Sequence, residues 1–238
     1  MLRVSVFATC RLRSTKLSEP VPDRLTAGRI VVYGRGLEPA PVLHAERRKR
    51  VRIALVVLAA GLSRRFRQQA GEHKLLADLE GKPVLQHTLE HAAASGLDLF
   101  VVTRPDASAI HTLCTQATLV LCNSGGLGES IAAGVHASRD YDGWLIALGD
   151  MPFVTAESYR AVSAALGDAM IVRPWIEGRP GHPVGFQQQC YPMLSVLKGD
   201  AGPQAMVKSQ AVRLPLQDRG CLCDIDLPAD LQLIKEFS

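Results

Sequence analysis

The sequence predicts a doubly wound α/β fold, a mostly parallel sheet with helices on both faces. Two observations carry this. Five short stretches, 51–58, 97–103, 117–122, 144–148 and 169–174, are predominantly apolar. A near-continuous apolar run of that length suits a strand buried on both faces, whereas a strand with one wet face alternates. Between the runs lie segments with apolar residues at helical spacing, and strands alternating with helices build parallel crossover units.

The first strand, 51–58, ends at a loop rich in small residues, Leu58-Ala59-Ala60-Gly61-Leu62-Ser63-Arg64-Arg65. A polar stretch then leads to Lys74. Pro83 opens the first clear helix, with Val84, Leu85, Leu89, Ala92 and Ala93 on its apolar face and Gly96 closing it. Further helices are predicted at 106–116, 127–138 and 155–166, and in the last third at 189–197, 201–209 and 228–237. No internal repeat and no low-complexity segment interrupts the pattern.

A chain of 238 residues, 47% hydrophobic and 21% charged, is long enough for a sizeable core and is not wholly disordered. No run of 18 apolar residues exists, so no membrane-spanning helix is expected. The six cysteines, at 10, 114, 122, 190, 221 and 223, show no spacing of a disulfide framework and read as reduced thiols in a cytoplasmic protein. The net charge of +4 divides unevenly. Residues 1–50 hold 11 Lys and Arg against 4 Asp and Glu, so 51–238 hold 16 against 19. The basicity belongs to a leader, expected to be a disordered extension or the product of a mis-assigned start. A transit peptide and a basic binding arm are the other readings of it. The mildly acidic body argues against a nucleic-acid partner.

In doubly wound sheets the ligand sits beyond the carboxyl ends of the strands, which directs attention to four loops. The loop 58–65 carries small residues that let backbone N–H groups approach a phosphate, with Arg65 and Lys74 adding charge. It has neither the P-loop nor the dinucleotide-binding glycine pattern. Asn123-Ser124-Gly125-Gly126-Leu127-Gly128-Glu129-Ser130 opens a helix, and Ser130 in its first turn is a candidate to bond a base or ribose. Gly128-Glu129-Ser130-Ile131-Ala132 misses the serine-hydrolase elbow by its last residue. Asp150, in Gly149-Asp150-Met151-Pro152, stands just past a buried strand, well placed to hold Mg²⁺. A second acidic cluster, Asp224-Ile225-Asp226-Leu227-Pro228, precedes the last helix. His87-Thr88-Leu89-Glu90-His91 matches a zinc pattern, but its two histidines share the polar face of their helix and are expected to be solvated.

Taken in order, these pieces resemble the molybdenum cofactor nucleotidyltransferases of the NTP-transferase family, most closely the cytidylyltransferases. The matching residues are Leu58-Ala59-Ala60-Gly61 with Ser63 and Arg65, Lys74, Gly126-Leu127 with Ser130, Gly149–Pro152, Gly178-Arg179-Pro180-Gly181-His182-Pro183, and 224–231. The resemblance spans 51–238 as one nucleotidyltransferase domain and implies a Rossmann-like fold. It implies transfer of a nucleoside monophosphate from an NTP to molybdopterin phosphate, with CTP and molybdenum-molybdopterin as substrates, Mg²⁺ as cofactor and an apo molybdoenzyme as partner. It places Leu58, Ala59, Ala60 and Gly61 on the nucleotide, Arg65 and Lys74 on its phosphates, Ser130 near the base and Asp150 on the metal. Asp224 or Asp226 is the second metal candidate, and Gly181, His182 and Pro183 form the pterin-side wall. Ala60, where guanylyltransferases have Gly, favours CTP over GTP. One departure is the spacing: Phe66-Arg67 follows Arg65, and nine positions separate Arg65 from Lys74. The alternatives are a GTP-using or other small-molecule NTP transferase, and a non-catalytic carrier of the cofactor.

Overall fold

The computed structural model describes residues 51–236, so the basic leader expected at 1–50 lies outside the described residues. The chain forms β1 (Ile53–Leu58), α1 (Arg64–Ala70), a 3₁₀ turn (Lys74–Leu76), a hairpin of β2 (Asp78–Leu79) and β3 (Lys82–Pro83), α2 (Val84–Ala94), β4 (Asp98–Thr103), α3 (Ser108–His111), β5 (Thr118–Leu121), α4 (Leu127–Ala137), β6 (Gly143–Leu148), α5 (Ala156–Ala165), β7 (Ile171–Ile176), β8 (Arg179–Pro180) and β9 (Val184–Gln187). A 3₁₀ turn (Gln188–Cys190) then runs into α6 (Tyr191–Leu194), followed by α7 (Gln204–Gln210), β10 (Val212–Pro215) and two 3₁₀ segments, Arg219–Leu222 and Pro228–Glu236.

The main sheet runs β10-β7-β9-β6-β1-β4-β5, with β8 paired to β7. β1 lies parallel to both β4 and β6, with Val56 opposite Phe100 on one side and Ile146 on the other. The mostly parallel, doubly wound sheet expected from the sequence is therefore present. Strand residues alternate between two cores. Ile53, Leu55 and Val57 pack on one face with Leu85 and Leu89 of α2 and Tyr159 and Val162 of α5. Ala54, Val56 and Leu58 pack on the other with Ile131 and Val135 of α4 and Leu194 of α6. Every residue of β1 is buried, which is why its sequence is unbroken in hydrophobicity.

Several elements differ from expectation. β9 is antiparallel to both neighbours and sits between β6 and β7. β7 runs on through Pro174 to Ile176, and the Pro174 carbonyl accepts from Gly181. The helix expected at 106–116 is one turn: beyond it, Leu113 and Cys114 donate to Ile110 and His111, an i to i−3 pattern that winds the chain out of the helix. The expected helix at 189–197 reduces to a 3₁₀ turn and four-residue α6, and that at 228–237 is 3₁₀ over Pro228–Glu236. Among the described residues no helix is long and apolar enough to cross a membrane.

Candidate active site

The site lies where β1, β5 and β6 end. Gly149 brings the loop after β6 against the end of β1: its N–H donates to the Leu58 carbonyl at 3.0 Å, and a Cβ there would stand 2.9 Å from that same oxygen. Thr88 of α2 donates to the Gly149 carbonyl at 3.0 Å, and Ile225 donates its N–H to the Asp150 carbonyl at 2.9 Å. The acidic segment 224–226 is thereby hung on the Asp150 loop, and buried Ile225 packs with Phe66, Ala77, Leu79 and Val84.

Phe66 explains how the long spacing before Lys74 is absorbed. It is the buried residue of α1, so it fixes that helix on Ile225 and sets Arg65 beside Asp226. Gly71, at φ 76°, then ends α1 in the left-handed region. His73 caps the following 3₁₀ turn: its Nδ1 accepts from Leu75 N–H at 3.2 Å, so the neutral ring carries its proton on Nε2, 3.0 Å from the Gly61 carbonyl. Ser63 Oγ lies 3.2 Å from Nδ1. Burial pushes His73 below the usual imidazole range, the charges of Arg67 and Lys74 push the same way, and the Gly61 carbonyl opposes them. One imidazole thus joins the phosphate-loop candidate to the turn that carries Lys74. The sequence signal for it was only its place next to the lysine.

Lys74 Nζ stands 2.5 Å from Asp150 Oδ2 and 2.9 Å from Asp226 Oδ1, and Arg65 reaches Asp226 Oδ2 at 2.8 Å. Lys74 and Asp150 are only 15% and 17% exposed, whereas Arg65 is 72% exposed. Burial pushes the Asp150 carboxyl up, Lys74 draws it down, and the charge of Asp224 adds to the upward push. For Lys74, burial alone would lower the ammonium, but Asp150 and Asp226 outweigh it and hold it above its ordinary value. Burial opposes ionisation of Asp226 too, yet Lys74 and Arg65 hold it below the usual carboxylate range. Two donors of the ammonium are engaged, leaving the third for a phosphate oxygen. Asp150 Oδ1 is buried without a hydrogen-bond partner, the kind of orphaned acceptor a divalent cation would satisfy, with Asp224 near enough for its charge to be felt. Among the described residues no group of three or more His, Cys, Asp or Glu could by itself hold a metal ion.

These charges close one side of a cleft of about 470 Å³ lined by Leu58, Ala60, Gly61, Arg64 and Arg65, by Ser124–Leu127 and Ser130, and by Lys74, Asp150, Asp200 and Asp226. Ala59 is buried in the core on the α2 side instead. Ser130 is buried, and its hydroxyl lies 2.8 Å from Ser124 Oγ, so it braces the loop before α4. Gly181, His182 and Pro183 are not among the lining residues. His182 Nδ1 is buried without a hydrogen-bond partner, its backbone N–H donates to the Cys221 carbonyl at 2.9 Å, and burial pushes its ring down to about 4, with Arg173 adding to the shift and the Ile146 backbone opposing it. His87, expected to be solvated, is half-buried and held 2.7 Å from the Leu79 carbonyl of the hairpin, while Glu90 pairs with Lys82 at 2.8 Å. Asp200 was missed; a single Gly-Asp pair in a loop carries no sequence signal.

The model of the MobA-like NTP transferase domain matches residues 55–214. The chain belongs to that family. The match covers the first loop, α4 and Asp150, and stops short of Asp226. This NTP transferase domain is 29% identical over 198 residues to the purine catabolism protein PucB of Bacillus subtilis, an alignment covering 76% of this chain and 94% of that one. Its fold is that of Rv0371c from Mycobacterium tuberculosis, with a TM-score of 0.67 at 24% identity over 78% of this chain and 98% of the other. It is also that of a nucleotidyl transferase from Methanothermobacter, with a TM-score of 0.67 at 22% identity over 78% and 96% of the two chains.

Proposed function

We propose that this domain transfers CMP from CTP to the phosphate of molybdenum-molybdopterin, releasing pyrophosphate, in the maturation of molybdenum hydroxylase-type enzymes. The observation that carries the reading is Lys74, held between Asp150 and Asp226 beside a cleft of small residues. The attacking group is a phosphate oxygen, already anionic, so the protein needs no nucleophile of its own. That oxygen bonds to the α-phosphorus as the bond to the β-phosphate oxygen breaks, and the electron pair leaves with pyrophosphate. What such a step needs is positioning and neutralisation of charge. Lys74 offers its remaining N–H to the polyphosphate, Arg65 reaches the same region, and Gly61 lets the backbone come close. Mg²⁺, held by Asp150 with Asp224 or Asp226, would supply further neutralisation of the triphosphate.

Ala60 lines the cleft, and its methyl group narrows it relative to glycine, which favours a pyrimidine. The Bacillus relative is named for purine catabolism, which supports a client enzyme that oxidises a heterocycle, an apo molybdoenzyme. The five described cysteines are free thiols, which supports a cytoplasmic location. The deciding experiment is pyrophosphate release from each of the four NTPs, with and without molybdenum cofactor. Release with CTP that requires the cofactor upholds the reading. Release with GTP alone moves it to a guanylyltransferase, and none with any NTP points to a carrier.

A further inference from the structure

We propose that Asp200 reads the nucleobase, selecting a base that presents an amino group over one that presents a carbonyl in its place; this rests on the cytidylyl-transfer reading. The argument begins with how Asp200 reaches the cleft. Residues 198–201 lap over the N-terminus of α4 at backbone contact. A Cβ on Gly126 would stand 2.3 Å from the Gly199 carbonyl carbon and 2.5 Å from Asp200 N, and one on Gly128 would stand 2.4 Å from the Ala201 carbonyl oxygen. Gly128 N–H donates to the Gly199 carbonyl at 2.8 Å. Glu129 ties the two loops together, accepting from Gly125 N–H at 2.5 Å and from Gly199 N–H at 3.4 Å. The segment is therefore built into the wall of the cleft.

The charges of the cleft are sorted by position. Asp150 follows β6, the small-residue loop follows β1, and Ser124–Leu127 follow β5, in a sheet ordered β6-β1-β4-β5. Three strand spacings of about 4.8 Å put the two ends roughly 14 Å apart. Lys74 and Arg65 gather at the β6 end. At the β5 end the wall is Gly125, Gly126, Leu127 and Ser130. Arg104 and Glu129 are spent on the backbone of this loop behind it. The charged side chain that lines the cleft there is Asp200, exposed and, among the described residues, without a hydrogen bond or ion pair. Asp150 and Asp226 pair with Lys74 and Arg65, but Lys74 keeps one N–H donor free, exposed Arg64 lines the cleft beside them, and Mg²⁺ on Asp150 would add positive charge. A polyphosphate is therefore held at the first end, while Asp200 repels it at the second. A nucleotide laid along the cleft therefore places its phosphates by Lys74, its ribose in the middle and the far edge of its base at Asp200.

An ionised carboxylate only accepts hydrogen bonds. It matches the N4 amino group of cytosine and meets the O4 carbonyl of uracil acceptor to acceptor. Ala60 separates pyrimidine from purine by size, and Asp200 separates the two pyrimidines by hydrogen-bond polarity. Hydrogen bonds to a charged group discriminate by about tenfold or more.

The test is equilibrium binding of Mg²⁺-nucleotides to the full chain, which needs no acceptor substrate. Wild type should bind CTP at least about tenfold more tightly than UTP. Asp200→Asn, whose amide can turn to donate or accept, should bring the two within about threefold of each other, and Asp200→Glu should keep most of the preference. The proposal is overturned if wild type binds UTP as tightly as CTP, if Asp200→Asn leaves the ratio unchanged, or if it weakens CTP and UTP in step, which would assign Asp200 to the ribose. If GTP binds best, the cytidylyl reading fails and Asp200 is judged by GTP against ITP, which lacks the guanine amino group. Collapse of that ratio in Asp200→Asn upholds the proposal, and its persistence overturns it. Failure of every nucleotide to bind sinks both. A thermal midpoint unchanged from wild type shows that each variant is folded.

Discussion

Lys74 and Asp150 meet at 2.5 Å across two largely buried side chains, one in the turn after α1 and the other past the end of β6. Each is the main compensation for the other. Removing the ammonium alone leaves a buried carboxylate without its counter-charge, a larger penalty than losing the attraction itself. We expect Lys74→Met to lower stability by about 1–3 kcal/mol, and Lys74→Met with Asp150→Asn to recover at least half of that. Urea unfolding of the two single variants and the double variant measures it. An additive double variant would mean the two side chains act separately.

Asp150→Asn should fold and lose most turnover. The change keeps shape and removes charge at the carboxylate whose Oδ1 is buried and unpartnered. Activity across a Mg²⁺ titration is the readout. Near-wild-type turnover at ordinary Mg²⁺ would place the metal elsewhere.

Ala60→Gly should narrow the preference for CTP over GTP. One methyl in a pocket is worth about 10–200-fold in discrimination, and we expect a change toward the lower end because Leu127 and Ser130 line the same cleft. The comparison is kcat/KM for both nucleotides in both proteins. An unchanged ratio refutes the steric account.

Gly126→Ala should displace residues 199–200, since the added carbon would overlap backbone atoms that have no rotamer to escape into. Overpacking of this kind costs about 1–3 kcal/mol. Nucleotide affinity should fall with it, while Gly71→Ala, strained by its φ of 76° but open in space, should lose stability with little effect on base selection. Equal effects of the two on the CTP-to-UTP binding ratio would contradict this.

His182 gives the chain a pH dependence of known sign. Its folded value of about 4 lies below the ordinary 6.5, so the unfolded chain takes the proton first. The stability it contributes is complete above about pH 6.5 and is lost as pH falls toward 4, amounting to roughly 3 kcal/mol in all. His182→Gln should flatten the slope of unfolding free energy between pH 6.5 and 4.5. An unaltered slope would mean the ring takes up its proton in the native state as readily as in the unfolded one.

β1, β4 and β6 were legible because burial on both faces leaves almost no polar residue to interrupt them, whereas β10, parallel to β7 but largely exposed, carries no such run and was not. Asp150 and the small-residue loop were legible for the related reason that chemistry clusters where such strands stop. α1 was not, since Arg64–Ala70 has a single core residue, Phe66, and so no period. β9 was not, because four residues that include Gly185 carry neither alternation nor a long apolar run, and its place between β6 and β7 is decided by tertiary pairing. Lys74 could be named but not placed, because its position depends on the left-handed turn at Gly71 and on the contacts of His73, which are local geometry without a pattern. Ser130, read as a base or ribose contact, lines the cleft and also bonds Ser124 of its own loop, since a hydroxyl in a first helical turn can serve both purposes.

The insertion of β9 between β6 and β7 has a bearing on how the protein is made. The ribosome releases the chain from its N-terminal end, and β6 emerges with no partner on one side until residues 184–187 follow. Asp226, which completes the grip on Lys74, comes out later still. At about 5–20 residues per second, translation from Asp150 to Asp226 takes roughly 4–15 s. Until residue 187 the nascent chain exposes the flank of β6, and until Asp226 it has no finished charge cluster, so a product truncated before residue 224 would hold the strands of the sheet and still lack the carboxylate that Lys74 and Arg65 share.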